Sequence, residues 1–326
     1  MAYTGTGTQS DPYVVSTLPD LITCLSGGNV YVKVTADIDC AQEPTYSGKI
    51  TTHLNLTGNH LYADTNVSIY GLTIESNCFF YCYAYNTNGY IDNVNFINCV
   101  FKYNNNDAGS HTGGIFDTGL ETSTSGIYTN NSKFSFVASV GSTTSSLFNK
   151  VSGTDCAYYV KVINSAYTKP FLARSQRNNY QPYNTFTRCN IIIDGMLVGT
   201  AGGTGGHCLV NYGDSSNFNT IISLDSSCLI FKDCDIQAGN SSGNVWAVET
   251  MGVAASFISA SYVALLGCTI LGSTAITING DNYNMTGSLG LIASDNMAVG
   301  TGNQIKPITV ANLKDENYLM TIGFLP

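Results

Sequence analysis

The chain has 326 residues, a net charge of −9 and 11% charged side chains against 44% hydrophobic ones. Ordinary globular proteins carry roughly 25% charge, so neutral polar residues fill the gap, with 33 Asn beside 33 Gly. Five Glu and ten Lys are too few for a helix-rich fold, 21 Tyr and 14 Phe are too many for a disordered one, and three arginines leave no basic face for nucleic acid.

In chain order, residues 1–40 carry the first predicted elements. Met1 to Gly7 has no basic start followed by an apolar run, so no secretion signal is visible. Thr17-Leu-Pro-Asp20 has the form of a capping box with Pro in the first turn. It predicts a helix over Leu18 to Leu25, stopped at Ser26-Gly27-Gly28, and then a strand over Val30 to Val34. No stretch approaches the roughly 18 apolar residues of a membrane span.

Residues 41–310 carry an irregular repeat: a large apolar residue, two others, Cys, one other, a large apolar residue. It occurs at Phe96 to Phe101, Phe186 to Ile191, Phe231 to Ile236 and Leu265 to Ile270. Ile69 to Ile74 and Val162 to Tyr167 fit with Leu72 and Ser165 in the Cys slot. The slots at 72, 99, 165, 189, 234 and 268 are separated by 27, 66, 24, 45 and 34 residues. They read as one or more coils of about 22–27 residues, a solenoid period. Within a unit, as at Val94-Asn-Phe96 and Val160-Lys-Val162, apolar and polar residues alternate as in strands with one buried face. Asn or Gly beside the slot suits a tight turn. The expected fold is therefore all-β, a single-domain parallel β-helix. The slot cysteines are expected to pack inside, where a small apolar thiol fills a narrow corner. Cys78-Phe-Phe-Tyr-Cys82 is the only close pair, and its intervening aromatics and lack of paired His argue against zinc. Eleven cysteines without a secretion signal point to synthesis in a reducing cytoplasm.

At the far end, Asp315 to Gly323 predicts one or two helical turns, acidic at the N-terminus with Gly at C′. The expected organisation is an opening strand and capping helix in 1–40, the coils in 41–310 and a capping segment in 311–326. Open ends of a solenoid need such caps. Stretches rich in Asn, Gly, Ser and Thr, at 104–114, 121–126, 199–206 and 239–243, read as loops between coils.

The opening Gly5 to Leu21, a Gly-rich turn followed by Pro12-Tyr13 and a strand leading into a short helix, and the closing Tyr318 to Phe324, resemble the right-handed parallel β-helix (pectin-lyase-like) proteins. The likeness is to the β-helical appendage and spike proteins of bacteriophage virions in particular. It implies a right-handed coil, assembly as a homotrimer with other capsid or tail proteins as partners, and location in the virion after synthesis in the host cytoplasm.

Catalysis by such folds uses paired carboxylates, roughly 5–9 Å apart, from neighbouring coils. Asp194, Asp233, Asp235 and Glu249 are the residues that would carry it, among outward acids that include Asp214 and Asp225. No spacing requires them to meet, and solvated turn residues explain them as well. His53, His60, His111 and His207 sit in unrelated contexts, and Gly202 to Gly206 lacks the Lys-Ser/Thr of a phosphate loop. Neither a cofactor nor a metal is expected, and no nucleic-acid or membrane partner. Tyr81, Tyr83, Tyr85 and Tyr90, and a second group at Tyr158, Tyr159, Tyr167, Tyr180 and Tyr183, offer contact area for a host-surface glycan or a protein. Arg174, Arg177 and Arg188 form the one basic cluster, expected to meet an acidic surface on a neighbouring subunit. A non-enzymatic capsid-decoration, head-fibre or tail-appendage protein is the expected function, and a polysaccharide depolymerase the alternative.

Overall fold

The computed structural model describes residues 3–84, 86–104, 114–118, 125–140, 146–164, 184–195 and 222–237, with short strands at 171–175, 197–198, 210–212 and between 255 and 292. These segments form a parallel β-helix: the chain winds in coils, and the strands of each coil pair in parallel with those of the next. Four faces recur, here called A to D in the order the chain visits them.

Face A starts with Tyr13–Val15 and Tyr31–Val34 and continues through Ile127–Asn130, Val151–Thr154, Asn184–Thr187 and Ile222–Asp225. The stacked sheet thus begins within residues 1–40. Its inward column runs Val32, Leu61, Ile91, Thr129, Gly153, Phe186 and Leu224, with register offsets of 29, 30, 38, 24, 33 and 38 residues. Coils are therefore longer and more variable than the 22–27 residues that the slot spacing suggests. Face B stacks Ile69, Phe96, Phe134, Tyr158, Ile191 and Leu229 in the same way. Face D is the six-stranded sheet that includes Cys78–Tyr81, Gly114–Asp117 and Ser146–Phe148. Face C is shorter, formed early by Lys49–Ile50 and Thr73–Ser76 and later by Leu197–Val198, Asp235–Gln237 and Thr269–Leu271. Ala275–Ile278 with Asp281–Asn284, and Leu265–Leu266 with Leu291–Ile292, pair antiparallel instead.

One local chemistry builds two different corners. Between faces A and B, Asn93, Asn131, Asp155, Arg188 and Ser226 all take a left-handed backbone, φ 46 to 58°. The next residue in each coil, Val94, Ser132, Cys156, Cys189 or Ser227, turns inward and is buried. Hydrogen bonds continue through this corner, from Asn131 N to Thr154 O, Asp155 N to Thr187 O and Arg188 N to Asp225 O. Between faces B and C, Gly71, Asn98, Gly195 and Asp233 are left-handed in turn, and Leu72, Cys99 and Cys234 fill the slot. The Phe186 to Ile191 segment belongs to the first corner, whereas Ile69 to Ile74, Phe96 to Phe101 and Phe231 to Ile236 belong to the second. Slot separations across the two kinds do not count coils. The sequence pattern merges them because each corner needs a left-handed turn residue, a small inward residue and large apolar neighbours. Two coils lack the second corner: Lys133–Val140 and Ala157–Asn164 run through its position, with Phe136 opposite Cys99 at a register shift.

The interior is held by aromatic rungs. Phe80, Phe116 and Phe148 stack along face D at 5.0 and 5.7 Å, and Phe96, Phe134 and Tyr158 stack along face B at 6.1 and 5.1 Å. The two stacks meet edge to face, as at Phe116–Phe134 (77°) and Phe148–Tyr158 (90°), the arrangement the ring quadrupoles favour. Cys24, Cys40, Cys78, Cys82, Cys99, Cys156, Cys189, Cys228 and Cys234 are all buried; Cys208 and Cys268 lie outside the described residues.

At the first end, helix α1 spans Leu18–Leu25 as its cap signals predict. Thr17 Oγ1 accepts from Asp20 N at 3.4 Å and donates to Asp20 Oδ2 at 3.0 Å. Leu18, Leu21, Cys24 and Leu25 are buried and cover the apolar end of the first coil. The expected C-terminal helix at Asp315 to Gly323 lies outside the described residues.

Candidate functional site

Alternation along face A sends Tyr31, His60, Tyr90 and Tyr128 outward in one register column. The column beside it holds Lys33, Tyr62, Asp92 and Asn130. His60 lies at the centre, with ring centroids 5.3 Å from Tyr31, 5.2 Å from Tyr62 and 5.3 Å from Tyr90, and its Nε2 meets Asp92 Oδ2. Tyr90 and Tyr128 stack at 5.3 Å and 21° and keep 37% and 40% of their surface exposed. Because these two rings face one another, what they present outward is ring edges and phenol oxygens. Lys33 pairs with Asp64 at 2.5 Å. Further along, the first column becomes Ser152 and Thr185, small hydroxyls in place of rings. The described outer surface of face A is thus a strip rich in hydrogen-bonding groups, whose charges Lys33 and Asp92 are paired with Asp64 and His60.

The carboxylate candidates occupy faces B and C. Asp194 ends the strand Asn190–Asp194, is 8% exposed, accepts a 2.8 Å hydrogen bond from Tyr159 Oη, and lies in register between Lys161 and Lys232. Asp233 is exposed at a left-handed corner position, φ 48°. Both carboxylates act on Tyr159: burial first, then the hydrogen bond and charge of Asp194 and the charge of Asp233, hold its phenol well above the usual range. Asp194 thus bonds the Tyr159 phenol directly, while Asp233 acts on it through its charge alone. Asp235 lies in the face C strand opposite Leu197 and Thr269, but its side chain, like Glu249 and Asp214, lies outside the described residues. Asp225 accepts from the Ser226 hydroxyl.

Comparison with protein families, with curated proteins and with solved structures finds no match.

A buried polar group at the corner between faces D and A had no signal in the sequence. Asp117 is fully buried opposite Tyr81, and its Oδ1 accepts from Asn149 Nδ2 at 3.3 Å. Lys150, next in the turn, is pushed down to about 8, burial outweighing the opposite pull of Cys82. Tyr81 stacks on Tyr83 and lies 4.6 Å from the His53 ring. Of the second tyrosine group, Tyr158 is interior, while Tyr167, Tyr180 and Tyr183 lie outside the described residues. Of the basic cluster, Arg188 makes a bidentate pair with Asp155 of its own chain, at 2.7 Å to each oxygen. The Arg174 side chain and Arg177 lie outside the described residues. Among the described residues no group of three or more His, Cys, Asp or Glu is placed to hold a metal ion, and no helix is long and apolar enough to cross a membrane.

Proposed function

We propose that the chain is a non-enzymatic structural protein of a bacteriophage virion, a capsid-decoration, head-fibre or tail-appendage protein that works as a homotrimer. What carries this reading is the contrast between a long stack of coils, capped at its first end and with a polar, low-charge exterior, and a carboxylate, Asp194, already committed to Tyr159. A catalytic acid needs access to its substrate's leaving group, and this buried, hydrogen-bonded carboxylate has little surface to offer. Face A supplies the kind of low-charge hydrogen-bonding strip that suits contact with neighbouring virion proteins or a host-surface glycan. The test is fractionation of particles from cells producing the chain, followed by cross-linking mass spectrometry. Cross-links from this chain to capsid or tail proteins are expected; recovery only as free protein contradicts the proposal.

The depolymerase reading draws on a separate observation, the action of both Asp194 and Asp233 on Tyr159. Incubation with capsular or teichoic glycans separates the two readings. New reducing ends that disappear in Asp194→Asn and Asp233→Asn variants favour the enzyme; unchanged glycans favour the structural role.

A further inference from the structure

The corner between faces A and B places two thiols side by side. Asp155 and Arg188 hold equivalent left-handed positions, and Ala157 pairs with Asn190, so Cys156 and Cys189 between them occupy the same slot in successive coils. Asn190 N donates to Cys156 O at 3.0 Å, closing the backbones together at this point. Adjacent strands lie ~4.8 Å apart, within the ~4.4–6.8 Å between Cα atoms that a disulfide spans. Both side chains point inward, at 3% and 0% exposure, and each thiol donates to the carbonyl two residues before it, Cys156 Sγ to Thr154 O at 3.1 Å and Cys189 Sγ to Thr187 O at 3.3 Å. The flanking slots hold Ser132 and Ser227, so the pair is isolated in its column. Gly153 leaves the space: a Cβ there would lie 3.3 Å from Cys189 Sγ and 2.4 Å from Tyr158 Oη.

We propose that Cys156 and Cys189 are a redox-responsive pair that closes to an inter-coil disulfide when the protein meets a peroxide. The proposal is independent of where the chain works. Cys156 is the nucleophile: its sulfur lies 3.6 Å from the Thr129 hydroxyl, a group that can donate to a thiolate. Burial opposes the Cys156 thiolate, but the neighbouring Cys189 thiol, the Ser132 backbone and the Thr129 and Tyr158 hydroxyls outweigh that and lower it. Cys189 is raised by the neighbouring Cys156 and by burial. Peroxide reaches the pair through local opening of the corner. The Cys156 thiolate attacks one peroxide oxygen, the O–O bond breaks, and a sulfenic acid and water result once a proton is taken up. Cys189 sulfur then attacks Cys156 sulfur, the S–O bond breaks, and a second water leaves. In sum, two thiols and one hydrogen peroxide give one disulfide and two waters; the thiols are oxidised and the peroxide is reduced.

The other described thiols are less well placed. Cys78 starts the strand Cys78–Tyr81 and Cys82 follows its end, about 13 Å away at ~3.3 Å per residue. Cys228 pairs in register with Asn190 rather than with Cys189, and its sulfur reaches Asn190 Oδ1 at 3.1 Å.

The test treats the reduced full-length protein with hydrogen peroxide, blocks remaining thiols with N-ethylmaleimide in denaturant, and maps peptides by mass spectrometry. A peptide pair joined through Cys156 and Cys189, lighter by two hydrogens and separated again by dithiothreitol, is expected. The oxidised protein should also melt at a higher temperature than the reduced one. In Cys189→Ser the cross-link is lost and dimedone traps Cys156 as its sulfenic acid; Cys228→Ser keeps the cross-link. Recovery of Cys156 and Cys189 as maleimide adducts from wild type, under peroxide that oxidises glutathione, overturns the proposal. So does linkage of either residue to another cysteine instead.

Discussion

Gly153 shows how tightly single residues are specified inside the coil. A methyl group there would meet Tyr158 Oη at 2.4 Å and the Phe186 ring at 3.1 Å, whereas at Gly126 the nearest atom lies 3.4 Å away on the Tyr128 ring. Overpacking of a filled interior costs about 1–3 kcal/mol. Gly153→Ala should therefore lower the urea midpoint clearly and Gly126→Ala far less; equal effects would contradict the packing described. Burial also fixes a pH response. It is the main cause that pushes Cys24 and Cys82 up to about 11 and Cys40 up to about 12, from 9.0. Between about pH 9 and 12 the native state then holds protons that the unfolded state has lost, so the stability present below pH 9 declines as pH rises. Lys150 has the opposite sign: lowered from 10.5 to about 8, it favours the native state as pH rises through that window. Melting temperatures should fall above pH 9, and Lys150→Met should steepen the fall; a flat profile would contradict the buried thiols. None of this was legible at Asp117, Asn149 or Lys150, because stacking register alone brings them together.

Elements set by short-range chemistry were the most readable. Helix α1 matches its cap signals, since Thr17, Pro19 and Ser26 act within a few residues of one another. Removing the cap with Thr17→Ala should cost about 1 kcal/mol, measured by urea denaturation. The corners were readable in kind but not in number, for the two share one pattern and the loops between them vary freely. The Tyr31, His60, Tyr90 and Tyr128 column was invisible for the same reason: its members are 29, 30 and 38 residues apart, and no fixed period links them. Asn131 tests the corner directly. It holds φ 46°, and its Nδ2 donates to Asn93 Oδ1 at 2.7 Å. Asn131→Ala should lose about 1–2 kcal/mol through the left-handed backbone, and Asn131→Gly distinctly less. The reverse order would mean that the corner is not left-handed there.

For the whole molecule, stability comes from repetition: each coil buries its inward column against the next, and α1 closes one end. The homotrimer remains part of the proposed function, and native mass spectrometry at micromolar concentration tests it, with a threefold mass expected and a monomer contradicting it. The fold itself makes a stronger demand, that nine thiols spread from Cys24 to Cys234 are all buried, seven of them in one continuous interior. Brief alkylation of the reduced native protein with iodoacetamide, read residue by residue by mass spectrometry, tests that demand most directly. The stacked coil predicts that the nine buried cysteines stay unmodified in buffer and become modified in denaturant; modification of most of them in the native state would contradict it.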